Sequence, residues 1–311
     1  MKPLGALAAF ALVASCASAP KEMRYPVVVD AGGCALEQIT SAGDGESHFQ
    51  FEGVSRDGGS LFVGWQKDES RGACILDLKT GDRRDIAGLN NSGVFSRDGT
   101  RLLVANTIAD GTTEILEYDI ATGEATPVAP HPRPDFLATY SPDDRWILFN
   151  SYRTGRSDLY LYSRDGGDPL RLTYFDGYDA QGAFSPDMKT ILFHRNLGQG
   201  NYDIYQIDFE NADVTPLITG PGEQSYASWS PDGRFIAYAS DAGGEPGKTD
   251  IFVADRSGAL VSRLTNEPGY NAYPSWSPDG RLIYFVSERG GARNVFRVAV
   301  DDGGHCRGRA N

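Results

Sequence analysis

Short apolar runs recur along the chain, and each opens just after a polar tetrapeptide. The runs are Leu61-Phe62-Val63, Leu102-Leu103-Val104, Trp146-Ile147-Leu148-Phe149, Ile191-Leu192-Phe193, Phe235-Ile236-Ala237-Tyr238 and Leu282-Ile283-Tyr284-Phe285. They are short and rich in β-branched and aromatic residues, which predicts strands rather than helices. The tetrapeptides are Ser55-Arg56-Asp57-Gly58, Ser96-Arg97-Asp98-Gly99, Ser141-Pro142-Asp143-Asp144, Ser185-Pro186-Asp187-Met188, Ser230-Pro231-Asp232-Gly233 and Ser277-Pro278-Asp279-Gly280. A further strand follows downstream, as in Asp158-Leu159-Tyr160, Asp203-Ile204-Tyr205 and Asp250-Ile251-Phe252. A turn and a last strand complete each unit, the last ending as in Arg171-Leu172-Thr173 or Arg263-Leu264-Thr265. Four short strands per ~45 residues is the period of a β-propeller. The pattern predicts an all-β fold: a six-bladed β-propeller of four-stranded antiparallel blades.

Ser-Pro-Asp-Gly is a hairpin turn in this reading. Proline presets φ at the first corner, aspartate bonds the backbone ahead, and glycine accepts positive φ. The motif serines and aspartates are therefore scaffold, not catalytic candidates. Composition adds to this. The chain has 311 residues, 37 of them glycine, and a formal net charge of −13. Length alone allows two domains, but the repeat replaces that with one ring. An acidic chain without a basic stripe is not expected to bind nucleic acid, which needs clustered Lys and Arg.

Met1 and Lys2 precede an apolar stretch, Pro3 to Ala14, too short to span a bilayer. Residues 1–15 are expected to be a signal peptide. Val13-Ala14-Ser15-Cys16 resembles the lipobox of bacterial lipoproteins. That resemblance implies a lipid on Cys16, a tether over 16–33 and an outer-membrane anchor facing the periplasm. Cleavage after Ala19, giving a soluble periplasmic protein, is the alternative.

The repeats resemble those of TolB-type propellers, with blades five and six, Ser230–Thr265 and Ser277–Asp302, matching best. Blades one and two depart from the pattern by carrying Arg in place of Pro. The resemblance spans roughly residues 34–304 and is confined to the propeller; the separate α/β domain that precedes it in TolB is not expected here. It implies a binding or scaffold role.

Blade six has little chain after its third strand, and Leu36-Glu37-Gln38-Ile39-Thr40 reads as the last strand of a blade. The N-terminal strand is expected to complete blade six, removing an exposed edge. The propeller then runs over residues 34–306, with 307–311 as a tail. Closure brings Cys34 near the turn before Cys306, so a Cys34–Cys306 disulfide is expected. Cys74 is expected to be a small buried hydrophobe.

Opposite the motif turns, one mouth collects the incoming ends of the innermost strands. Six residues before each motif serine stand Phe49, Asn90, Asp135, Asp179, Gln224 and Asn271. His48, Asn91, Tyr178, Glu223, Tyr226, Tyr270 and Tyr273 lie nearby, and the loops after the second strands add Arg153, Arg195 and Arg289. Polar groups converging on a concavity with aromatic walls make a recognition surface. The plainer reading is that these aspartates and arginines pair with each other. No Gly-x-Ser-x-Gly elbow is present, and His48, His131, His194 and His305 show no zinc spacing. The expectation is a non-catalytic, monomeric propeller without cofactor or metal, docking a periplasmic protein or peptide at this mouth. The alternative is an enzyme or glycan binder using the same arginines with His194 and Tyr178, as in propeller lyases of similar repeat type.

Overall fold

The computed structural model describes residues 23–41, 46–91, 93–108, 111–266 and 269–307. The expected signal peptide, Cys16 and residues 308–311 lie outside them. The described chain forms six antiparallel sheets, five of four strands and one of five. The first strands of the blades are Glu46–Val54, Gly93–Phe95, Asp135–Tyr140, Tyr178–Phe184, Gln224–Trp229 and Asn271–Trp276. Each lies against the first strand of the next blade, and the last lies against the first, so the ring is closed. One 3₁₀ turn, Arg289–Gly291, is the single helical element among the described residues.

The core lies between neighbouring blades. Leu192 and Ile204 of blade four pack with Trp229, Tyr238 and Phe252 of blade five. At the seam, Leu61, Val63 and Cys74 of blade one pack with Tyr284, Val286 and Val295 of blade six. Strands alternate inward and outward, so each sheet buries both of its faces against other sheets. Burial also pushes the Cys74 thiol up to about 12, which keeps it protonated.

The motif turns take the conformation their sequence calls for. Ser230 Oγ donates to Asp232 Oδ1 at 2.6 Å and accepts the N–H of Phe235 at 2.9 Å. The same pair of bonds recurs in blade four, from Ser185 to Asp187 and from the N–H of Thr190. The fourth turn residue is left-handed in every blade, including Asp144 and Met188, both at φ 58° where the others have glycine.

The last blade is closed by the N-terminal strand. Ala35–Gln38 pairs with Asn294–Ala299, Leu36 opposite Val298 and Gln38 opposite Phe296. Cys34 is bonded to Cys306, with Cα atoms 5.8 Å apart. The segment expected as a tether departs from expectation at Val27–Val29, which adds a fifth strand to blade six. The cause is Asp30. Its buried carboxylate accepts the N–H groups of Gly32 and Asn266, at 2.9 and 2.8 Å, and folds a hairpin back onto Ala35–Gln38. Upstream, the Met23 N–H and the Tyr25 hydroxyl donate to the carbonyls of Lys79 and Leu78, both at 3.0 Å, tying the segment to blade one.

Candidate functional site

Two sets of side chains meet on the face opposite the motif turns. The first set is the polar positions six residues before each motif serine. These do not converge on one opening. Asp135, Asp179, Gln224 and Asn271 are buried and Asn90 is half-buried, and each is bound within its own blade or to an adjoining segment. Asp179 stands directly across the ladder from Arg195, which grips both its oxygens at 2.8 and 2.9 Å. Arg153 Nη2 reaches Asp135 at 3.1 Å and its Nε donates to Ser151 at 2.8 Å. Burial nevertheless leaves the Asp135 carboxyl above its usual range. Asn90 exchanges two bonds with the backbone of Thr107, Gln224 donates to the carbonyl of Pro221, and Asn271 donates to that of Thr249. The Phe49 side chain lies outside the described residues.

In blade six the acid opposite the arginine is missing from the strand itself, where Asn271 stands. Asp30 takes its place: Arg289 Nη2 lies 3.2 Å from Asp30 and 3.4 Å from Asn271. The three arginines also lie over aromatic rings, Arg195 over Phe175 at 4.3 Å, Arg153 over Tyr160 at 4.8 Å and Arg289 over Phe296 at 5.3 Å. Asp–Arg pairing is thus what the structure shows for Asp135, Asp179, Arg153, Arg195 and Arg289, and these residues hold the mouth rather than line it.

The second set lines the opening. Four innermost strands carry a bulge two residues further on, marked by register shifts at Phe136/Thr139, Ala180/Ala183, Ser225/Ser228 and Ala272/Ser275. At each bulge one residue is left-handed: Leu137, Gln181, Tyr226 and Tyr273, with φ between 50° and 56°. Non-glycine residues in this region cost about 1 kcal/mol or more each, and such strain concentrates at functional sites. A bulge re-aims its side chain. Here Leu137 and Tyr273 line both a mouth cavity of about 190 Å³ and a deeper axial space of about 120 Å³.

The rings of Phe136, Tyr178, His194, Tyr226 and Tyr273 form the wall of the mouth cavity, with Asn91 and Ala105. Tyr226 and Tyr273 lie 4.2 Å apart, and His194 lies 5.4 Å from Tyr226 and 6.2 Å from Tyr178. Burial lowers the His194 pKa to about 4, so the imidazole is neutral at neutral pH. Burial pushes the phenols of Tyr178 and Tyr226 well above their usual range, so these also stay neutral. Among the described residues, no Lys, Arg, Asp or Glu lines this cavity, and no group of three or more His, Cys, Asp or Glu is placed to hold a metal ion. Tyr178, Tyr226 and Tyr273 are among the residues expected near the mouth, and His194 belongs to the alternative reading; Leu137 and Gln181 carry no sequence signal, because a bulge does not show in the two-residue alternation of a strand.

The sequence profile of the TolB beta propeller domain matches residues 28–199. The chain belongs to the TolB beta propeller family. An uncharacterized protein of Agrobacterium fabrum is 31% identical over 60% of this chain and 68% of its own length. The Tol-Pal system protein TolB of Wolinella succinogenes is 24% identical over 54% of this chain, which spans only 41% of that protein. Among solved structures, TolB from Acinetobacter baumannii superposes with a TM-score of 0.66 and 23% identity, over 79% of this chain and 64% of that one. An oligogalacturonate lyase from Vibrio parahaemolyticus superposes with a TM-score of 0.65 and 13% identity, over 91% and 98%. At these identities the structural likenesses establish the fold. The TolB-type ring is thus common to proteins of different activity, and the site has to be argued from its own residues.

Proposed function

We propose that this TolB-type propeller is a non-catalytic binding module that docks a peptide segment of a cell-envelope protein at its aromatic mouth. The observation that carries the reading is the ring-walled cavity held open by strained bulges above a braced rim. Preformed concavities with aromatic walls and a few polar groups are suited to recognition. An enzyme acting on acidic sugars needs arginines turned to the substrate carboxylate. Arg153, Arg195 and Arg289 are instead engaged with Asp135, Asp179 and Asp30. His194, with a pKa of about 4, is too weak a base to be matched to neutral pH. The similarity to a Tol-Pal system protein supports an envelope setting. In this reading the ring lies in the periplasm, held to the outer membrane by a lipid on Cys16, and the Cys34–Cys306 bond suits that oxidising compartment.

A photo-crosslinking residue placed at Tyr178 tests the proposal in intact envelopes, with the exposed Leu260 on the rim of blade five as control. A discrete adduct from position 178, absent from position 260, is expected. Identical adducts from both positions, or none from 178, overturn it.

A further inference from the structure

The mouth cavity has a chemistry more specific than aromatic. Five aromatic rings line it, and its one ionisable base, His194, carries no charge at neutral pH. Among the described residues no fixed cation lines it, and the chain as a whole carries a net charge of −13. Glu223 stands close enough for its charge to act on Tyr226. Arg293, whose charge is felt by Tyr270 and Tyr273, is paired with Glu288 and lies 4.7 Å over Tyr270, which is not among the lining residues. An anion entering this space meets no positive partner. A cation meets aromatic rings, whose faces attract cations through their quadrupoles, most strongly where water is excluded.

The molecule repeatedly uses this chemistry on itself. Arg153, Arg195, Arg289, Arg293 and Arg297 each lie 4.3 to 5.9 Å over an aromatic ring. A guanidinium is planar, weakly hydrated and stacks on such rings, whereas an ammonium demands a shell of acceptors. The cavity combines aromatic rings with neutral polar groups, and no carboxylate is among its lining residues. Its volume of about 190 Å³ is several times a water molecule's share of the liquid, so it accommodates a guanidinium.

We infer that the mouth is a cage for an arginine side chain, presented by the segment it docks. Phe136, Tyr178, Tyr226 and Tyr273 supply the rings, and the Asn91 amide, the tyrosine hydroxyls and His194 are the polar groups of the lining residues. The inference rests on the binding reading above and names the anchor residue of the ligand. The bulges give the cage its shape, because left-handed Tyr226 and Tyr273 turn two phenols towards the axis side by side.

The test compares Nα-acetyl-arginine amide with Nα-acetyl-citrulline amide, its uncharged isostere, by saturation-transfer NMR and calorimetry on the whole chain. Arginine amide is expected to bind at least roughly tenfold tighter. Tyr226→Phe is expected to keep that preference, and Tyr226→Leu to reduce it about fivefold. Leu137 holds the same left-handed position in blade three, so leucine fits the backbone there; an unchanged urea midpoint checks that the variant is folded. Equal binding of arginine and citrulline amides, or no effect of Tyr226→Leu, overturns the cage. Choline is the third probe: binding tighter than arginine amide overturns the assignment to arginine in favour of a quaternary ammonium. A crosslinked partner without arginine preference sinks the cage alone; arginine preference without a crosslinked partner supports the cage and sinks the peptide reading.

Discussion

Asp179 has no exposed surface, and Arg195 holds both of its oxygens. Removing one member of such a pair leaves an uncompensated charge in low dielectric, whereas removing both leaves none. Arg195→Met is therefore expected to destabilise the ring by about 3–5 kcal/mol, and Asp179→Asn together with Arg195→Met by much less. Urea unfolding of the two variants checks this; equal losses contradict the pair's structural role. At this scale the sequence was half legible. Asp179 and Arg195 are expected on the right face, and their mutual pairing is the plainer of the two readings the sequence leaves open. An antiparallel ladder sets them directly opposite, and opposite charges across a ladder satisfy each other. Leu137, Tyr226 and Tyr273, which line the cavity, sit at bulges, where the two-residue alternation of a strand breaks, so counting back from the motif serine misjudges which side chains point inward. Asp30 had no signal at all, because its partner Arg289 is distant in sequence.

The turn is the element whose form follows most directly from its residues. Ser185 Oγ–H is the largest influence holding Asp187 down, to a pKa of about 2, with the Lys189 N–H and Arg256 adding to it. A carboxyl whose pKa falls on folding stabilises the native state above its unfolded pKa, and that contribution is lost as pH drops through the folded value. Ser185→Ala is expected to cost about 1 kcal/mol at pH 7, since a buried hydroxyl also leaves the Thr190 N–H without its acceptor. The gap to the unmodified chain should narrow between pH 4 and pH 2 as Asp187 takes up its proton; a gap constant with pH rules out the Ser185–Asp187 bond as its source. All six turns and the strands flanking them were readable, because each needs only local chemistry. Val27–Val29 was not: three valines without a turn motif become a strand only when blade six offers an edge.

The whole molecule depends on one seam. Its closing strand was legible because Leu36–Thr40 had no blade of its own, and the structure pairs Leu36 with Val298. The Cys34–Cys306 bond spans 272 residues of sequence, and closing a loop of that length removes about 5 kcal/mol of unfolded-state entropy in the chain model. Replacing both cysteines by alanine should lower the urea midpoint by a corresponding amount and leave the native circular dichroism unchanged; an unaltered midpoint contradicts the entropic account. Cys34 also lies between the outer strand Val27–Val29 and the closing strand Ala35–Gln38. Tension applied at the N-terminal end therefore breaks the Met23 and Tyr25 contacts and then peels the outer strand one rung at a time, like a zip. At residue 34 the load passes through sulfur to Cys306, and the closing strand is never sheared. The seam works as a mechanical stop, so a pull on this end frees only the segment before residue 34 and leaves the ring shut.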